Sequence, residues 1–466
     1  MAAVLAFSCP ARADVLIDNV NGLTLDAKGR AERFNGVLVG DDGRIEQVLE
    51  RGDKRPGKVD YHYDGKGRVL LPGLVDSHVD LMKLGLSLLK PDVPASASPG
   101  ERKLPPPRPE DMDIAFANAQ RLLLEHGITA VADMGTTIES WQAYRRAGDL
   151  GDLRIRIAAY ANGTEAMALI GGPGPTPWLY GDRLRLNGVS LVLDGSLESH
   201  SAALKAPYSD ASPAAAPKPA SSRAGGEPRY SDTQLKNLMS RAAIDNFQVA
   251  VRAEGDSAVA NVLDAIDELS ETYQGDRRWR IEQAVIVDPA DMPRLGQHGI
   301  AISVRPGMEA PLREIAEARL GSERLTGAFA WKSLADAGAT LAFGSDTPQA
   351  TPQPFAGMAA AITRQDANGL PFGGWQPQER LTREAALAAY TTGGAHAMFA
   401  DGRFGRIARG QRADFVLVDV DPLMTPPDEL RSMRVLQTWV GGELVFDAKD
   451  AKDAENRQEA QAAGGR

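Results

Sequence analysis

The sequence predicts an α/β chain, a TIM (β/α)8 barrel carrying a small β-sandwich domain formed from both chain ends. Three observations lead there. About eight short apolar runs recur through the middle of the chain, separated by stretches with helical signals. Both ends read instead as short strands broken by turns, which suits one sandwich assembled from two distant segments. The 466-residue length exceeds what one hydrophobic core serves, so a large domain and a smaller one are expected.

In chain order, residues 1–13 are apolar and end in Ala11-Arg12-Ala13, the pattern of a secretory cleavage site. That stretch reads as the remnant of a signal peptide, with a periplasmic or secreted location following from it and a cytoplasmic one otherwise. Cys9, the single cysteine, would leave with it. Residues 14–70 and 400–447 are assigned to the composite sandwich. Val15-Leu-Ile-Asp18, Asn35 to Gly40 and Gly43 to Leu49 alternate as half-buried strands do, and the Asp-Asp-Gly turn suits antiparallel pairing.

Residues 71–399 are assigned to the barrel. The strands expected are Leu71 to Asp80, Gly127 to Asp133, Arg154 to Tyr160, Gly188 to Asp194, Phe247 to Arg252, Trp279 to Glu282, Gly299 to Val304 and Ala339 to Gly344. Ser231-Asp-Thr-Gln234 reads as a capping box, and Asp288-Pro289 as an N-cap followed by proline at the first helical position. The Pro/Ser-rich stretch 92–109 and the Ala/Pro/Ser/Gly-rich stretch 211–228 read as mobile surface loops near the barrel mouth. Residues 448–466 read as a frayed helix or a disordered tail.

Composition narrows the partners. Lys and Arg number 52 against 62 Asp and Glu, and the net charge of −10 disfavours nucleic acid and anionic lipid. No apolar run approaches the ~20 residues of a bilayer span, so no membrane insertion is expected. A small-molecule ligand or substrate remains.

A barrel of this kind carries its chemistry at the C-terminal strand ends. His78, Asp80, Asp194, Arg252, Glu282 and Asp346 all fall there, and Arg305 follows the seventh strand. On the first strand, Asp76, His78 and Asp80 recur at every second position and so share a face.

Pro72-Gly-x-x-Asp76-x-His78 resembles the first-strand signature of the amidohydrolase superfamily. Asp194 to Ser199, Arg252-Ala-Glu-Gly-Asp256, Arg280-Ile-Glu-Gln-Ala284, Leu341 to Asp346 and Gly405 to Val416 resemble its family-3 branch, which includes N-substituted formamide deformylases. The resemblance implies hydrolysis of a non-peptide carbon–nitrogen bond and often a homodimer. It also implies metal ligands from a His-x-His on the first strand, a carboxylated lysine on the fourth, histidines on the fifth and sixth, and an aspartate on the eighth. His78 and Asp346 match that pattern. Asp80 stands at the second histidine, Ser190 or a neighbour at the lysine, Arg252 at the fifth-strand histidine and Gln283 at the sixth.

The other histidines do not make up the loss. His62 lies in the β-rich start, His126 and His298 precede glycines at helix ends on the opposite face, and His396 lies in a late helix expected over Arg383 to Phe399. Only His200 stands close enough after the fourth strand to reach the mouth. Two readings lead, ahead of metal-free acid/base work by Asp80 and Asp346, for which the sequence supplies no nucleophile or oxyanion hole. In one, His78, Asp80 and Asp346 hold one divalent ion, Glu282 assists and Asp346 is the catalytic general base. In the other no metal binds: Arg252, which has no lone pair to offer a metal, becomes the pocket's cation. Arg305 adds a second positive charge, and the pocket takes a small anionic ligand. Arg252, Glu282, Gln283, Arg305, His200 and Asp194 are the expected substrate-binding residues.

Overall fold

A computed structural model describes residues 14–89, 107–210 and 226–452. The leader with Cys9, most of both Pro/Ser-rich stretches and the tail from residue 453 lie outside the described residues.

The N-terminal strands are β1 (Val15–Asp18), β2 (Asn21–Leu25), β3 (Ala31–Phe34), β4 (Gly36–Val39), β5 (Ile45–Leu49), β6 (Tyr61–Asp64) and β7 (Val69–Pro72). The barrel follows as β8 (Leu74–Val79), β9 (Ile128–Thr136), β10 (Arg156–Asn162), β11 (Leu184–Val192), β12 (Gln248–Ala253), β13 (Arg280–Gln283), β14 (Ala301–Val304) and β15 (Thr340–Phe343). The chain then returns to β16 (Phe415–Val418), β17 (Val435–Val440) and β18 (Glu443–Asp447).

One sheet runs β5-β4-β1-β6. A second, β18-β17-β16-β7-β2-β3, takes half its strands from each end of the chain. The seam is antiparallel, with Phe415 opposite Pro72 and Val418 opposite Val69. Alternation explains why both seam strands are apolar throughout: Leu70, Phe415 and Leu417 face the sandwich core with Ile17 and Trp439, whereas Val69, Leu71, Val416 and Val418 face the barrel's shell. Each face of the strand is buried against a different partner, which fixes the sandwich on the barrel. A buried bidentate pair reinforces the junction, Arg156 Nε and Nη2 reaching Asp414 Oδ2 and Oδ1 at 2.6 and 2.7 Å.

The eight barrel strands are parallel neighbours in chain order. Closure comes at the mouth, where the Asp346 N–H donates to the His78 carbonyl at 2.8 Å and the Asp80 N–H to the Thr347 carbonyl at 2.9 Å. The residues that complete the cylinder are therefore those of the first- and eighth-strand motifs.

Three local expectations change. The run from Leu71 is two strands in different sheets, with Gly73 as the crossing point. A Cβ there would meet Thr129 Oγ1 at 2.2 Å, so only glycine passes beside β9. Asp288 does not cap an α-helix: its carboxylate accepts from the Ala290 N–H and pairs with Lys205, and the chain next forms a 3-10 turn, Met292–His298. The late helix is broken at Thr391 into Arg383–Ala389 and Thr392–Ala397. Ser231 does cap its helix reciprocally with Gln234. No helix of the described residues is long and apolar enough to cross a membrane.

Candidate functional site

A ladder of alternating charge runs from the barrel interior to the mouth. It starts on β13, where period-two geometry puts Arg280 and Glu282 on one face. Both side chains are 0% exposed, with Arg280 Nε donating to Glu282 Oε1 at 2.8 Å. The guanidinium also donates to the Tyr160 hydroxyl at 2.9 Å and the Ser77 carbonyl at 2.8 Å, and it lies 4.9 Å from the centre of the Tyr160 ring. Glu282 Oε2 takes up His78 Nδ1 at 2.7 Å. The other imidazole nitrogen, Nε2, lies 3.3 Å from Asp346 Oδ1. Asp346 Oδ2 accepts from Arg305 Nη1 at 2.5 Å and from Gln283 Nε2 at 3.3 Å, and Arg305 Nη2 donates to Gln283 Oε1 at 2.8 Å.

Asp346 reaches this position from a left-handed backbone, φ 58°, which aspartate tolerates better than most residues. Gln283 follows suit at φ 79°, as the chain turns sharply at the end of β13.

Protonation follows from the ladder. Burial opposes a charge on His78, but the flanking Asp346 and Glu282 outweigh it and raise the imidazole to about 9. Burial alone would raise Asp346; His78, then Arg305 and Arg252, hold it at about 2 instead. Glu282 is also lowered, with Arg280 and His78 overcoming its desolvation. A general base works best with a pKa near the operating pH, and neither Asp346 nor a protonated His78 meets that condition at neutrality.

The same contacts decide whether a divalent ion fits. A ligand must offer a free lone pair, yet both nitrogens of His78 face carboxylates, while the oxygens of Asp346 and Glu282 are taken by cationic or amide donors. Among the described residues, no group of three or more His, Cys, Asp or Glu is arranged to hold a metal ion. The residues present do not fit the family's metal centre.

The remaining expected site residues are dispersed. Asp80 is not joined to His78 or Asp346: it caps the helix Leu81–Leu88, pairs with Lys83 and raises the buried Asp133 by repulsion added to burial. Asp194 is sealed in the loops, accepting from the backbone N–H groups of Ala203, Glu254 and Gly255, each at 2.9 Å. It organises the β11 and β12 loops. His200 pairs with Asp210 at 3.0 Å and packs on Tyr208, outside the ladder. Arg252 does not contact Asp346: it pairs with Glu254 and donates to the Asp194 carbonyl at 3.2 Å. The cation seated on Asp346 is Arg305, and Glu254 Oε1 lies 3.5 Å from Arg305 Nη2, between the two guanidiniums. Arg280 and Glu254 were not among the expected site residues. The Arg-x-Glu spacing of β13 signals Arg280, since it places two opposite charges on one face of a buried strand.

This cluster at the C-terminal mouth defines the class, a (β/α)8 barrel joined to a sandwich built from both chain ends, with a ladder of buried ion pairs at its mouth. The chain belongs to the amidohydrolase family, which residues 99–446 match. It is 29% identical, over 58% of its length, to the putative amidohydrolase YtcJ of Bacillus subtilis (strain 168). It is 30% identical, over 47% of its length, to the N-substituted formamide deformylase of Arthrobacter pascens. The matched stretches span 49% and 40% of those proteins, so the chain covers about half the length of these relatives. In fold it is similar to an uncharacterized metal-dependent hydrolase from Pyrococcus horikoshii OT3, with TM-score 0.73 at 21% identity, covering 89% of this chain and 99% of that one.

Proposed function

We propose that this amidohydrolase-family barrel binds a small anionic ligand at its mouth on Arg305 and Arg252, with internal cations standing in for a metal ion. The observation that carries the reading is the unbroken ladder Arg280–Glu282–His78–Asp346–Arg305, which commits Glu282, both nitrogens of His78 and Asp346 to protein partners. Arg252 and Arg305 each use their terminal nitrogens on protein acceptors, while Nε of each has no acceptor among the described residues. Guanidinium groups of this kind suit a carboxylate or phosphate oxygen.

Cleavage of a non-peptide carbon–nitrogen bond with one divalent ion is the second reading. Family membership and the deformylase relative favour it. It requires Arg305 to leave Asp346 and the His78 ring to free a nitrogen.

Parallel calorimetric titrations with sodium acetate and with zinc or manganese chloride separate the two. Saturable acetate binding that Arg305→Ala abolishes, with no heat from the metals, is expected. Stoichiometric metal uptake accompanied by turnover of an N-formyl amine would establish the hydrolytic reading instead.

A further inference from the structure

We propose that the cavity beside Arg305 holds the body of the ligand, and that Tyr390 there selects a small carboxylic acid with a hydrogen-bond-accepting oxygen along its chain. The proposal rests on the anion-binding reading above and deepens it. The cavity measures about 310 Å³ and lies between the ends of β14 and β15 and the helix Pro354–Thr363. That is the low end of the range for small-molecule sites. Arg305 forms one wall, and Gly344 and Ser345, also in the wall, directly precede Asp346. An anion held on Arg305 is therefore adjacent to this cavity.

The opposite side is built from small residues, Ala356, Gly357 and Ala360, and from Tyr390. A Cβ on Gly357 would lie 2.2 Å from the Tyr390 hydroxyl, so the phenol packs directly on this glycine. That hydroxyl thus sits at the wall against Gly357, on a side chain of a residue only 5% exposed, and it forms no hydrogen bond among the described residues. Three polar neighbours are engaged elsewhere: Gln365 Nε2 donates to the Gly369 and Pro371 carbonyls, Asp366 accepts from the Asn368 and Leu370 N–H groups, and Arg431 pairs with Asp428, while Thr351 and Gln353 are exposed at the rim. The hydroxyl is free to donate, and a ligand carbonyl or ether oxygen reaching this wall would accept from it. Burial, reinforced by the nearby Asp76, pushes the phenol well above its ordinary value, so it is present as a donor.

Calorimetry with acetate, butyrate, valerate, hexanoate and levulinate tests this on the wild type, Ala356→Leu and Tyr390→Phe. In the wild type each added methylene should tighten binding about fourfold until the cavity is filled. Levulinate, which places a ketone on a valerate chain, should bind about fivefold tighter than valerate. Ala356→Leu should flatten the dependence on chain length. Tyr390→Phe should retain that dependence and erase the preference for levulinate. Acetate that fails to bind the wild type overturns the anion-binding reading itself. Acetate that binds, with affinity flat from acetate to hexanoate, overturns only the cavity assignment. A preference for levulinate that survives Tyr390→Phe removes Tyr390 from it.

Discussion

Arg280→Met puts the buried end of the ladder to a quantitative test. Arg280 and Glu282 are both sealed from solvent, and the guanidinium supplies one of the two charged contacts to Glu282 as well as bonds to Tyr160 and Ser77. Methionine fills much of the volume but leaves Glu282 facing only His78. Removing one member of a buried ion pair costs about 3–5 kcal/mol, chiefly because the surviving charge stays desolvated. The same substitution made with Glu282→Gln removes that stranded charge and should recover about 2 kcal/mol or more of the loss. Urea unfolding followed by far-UV circular dichroism reads both variants, with a lower midpoint and unchanged denaturant dependence expected for Arg280→Met. A loss below about 1 kcal/mol, or a double variant no more stable than the single one, would refute the view that the ladder is one coupled electrostatic unit.

Other consequences follow from the same contacts. His78 is raised above its ordinary 6.5, so its contribution to stability should be complete below that value and lost as pH rises through about 9. The imidazole resonances of the folded protein should show it protonated at pH 7; a midpoint below 7 contradicts the flanking carboxylates. Asp194→Ala leaves three backbone N–H groups without their acceptor and should destabilise by about 3 kcal/mol or more, at ~1–3 kcal/mol per buried unpaired group. A loss within about 0.5 kcal/mol, typical of surface changes, would show that the carboxylate does not organise the loops. Restoring histidine through Asp80→His, Arg252→His and Gln283→His should not by itself create a zinc site, because Arg305 remains on Asp346. Adding Arg305→Ala should permit uptake, and zinc bound by the triple variant alone would show that Arg305 is no barrier.

The barrel strands were legible because each is a short apolar run with turn residues beside it, and the mouth because strand ends carry the polar residues. The β7–β8 boundary was not, since Val69 to Val75 carries no polar side chain although the two strands it joins belong to different sheets. Position also failed to give direction. Asp194 stands at a strand end but turns toward three amide groups that only the folded loop brings together. Sequence placed Arg252 at a lost histidine, yet a long side chain goes where its nearest acceptor lies, and Glu254 two residues on captures it. Arg305, from a different strand, takes Asp346. His78 and Asp346 were expected as neighbours and close the barrel together, but sequence did not show that both would be saturated by protein partners.

The most direct measurement is elemental analysis of the protein expressed in medium supplemented with zinc and manganese and purified without chelator. The ladder predicts less than about a tenth of an equivalent of any divalent transition metal, since metal binding needs deprotonated, uncommitted ligands. One or more equivalents, lost on His78→Ala or Asp346→Ala, would contradict the claim that internal cations occupy the metal's place.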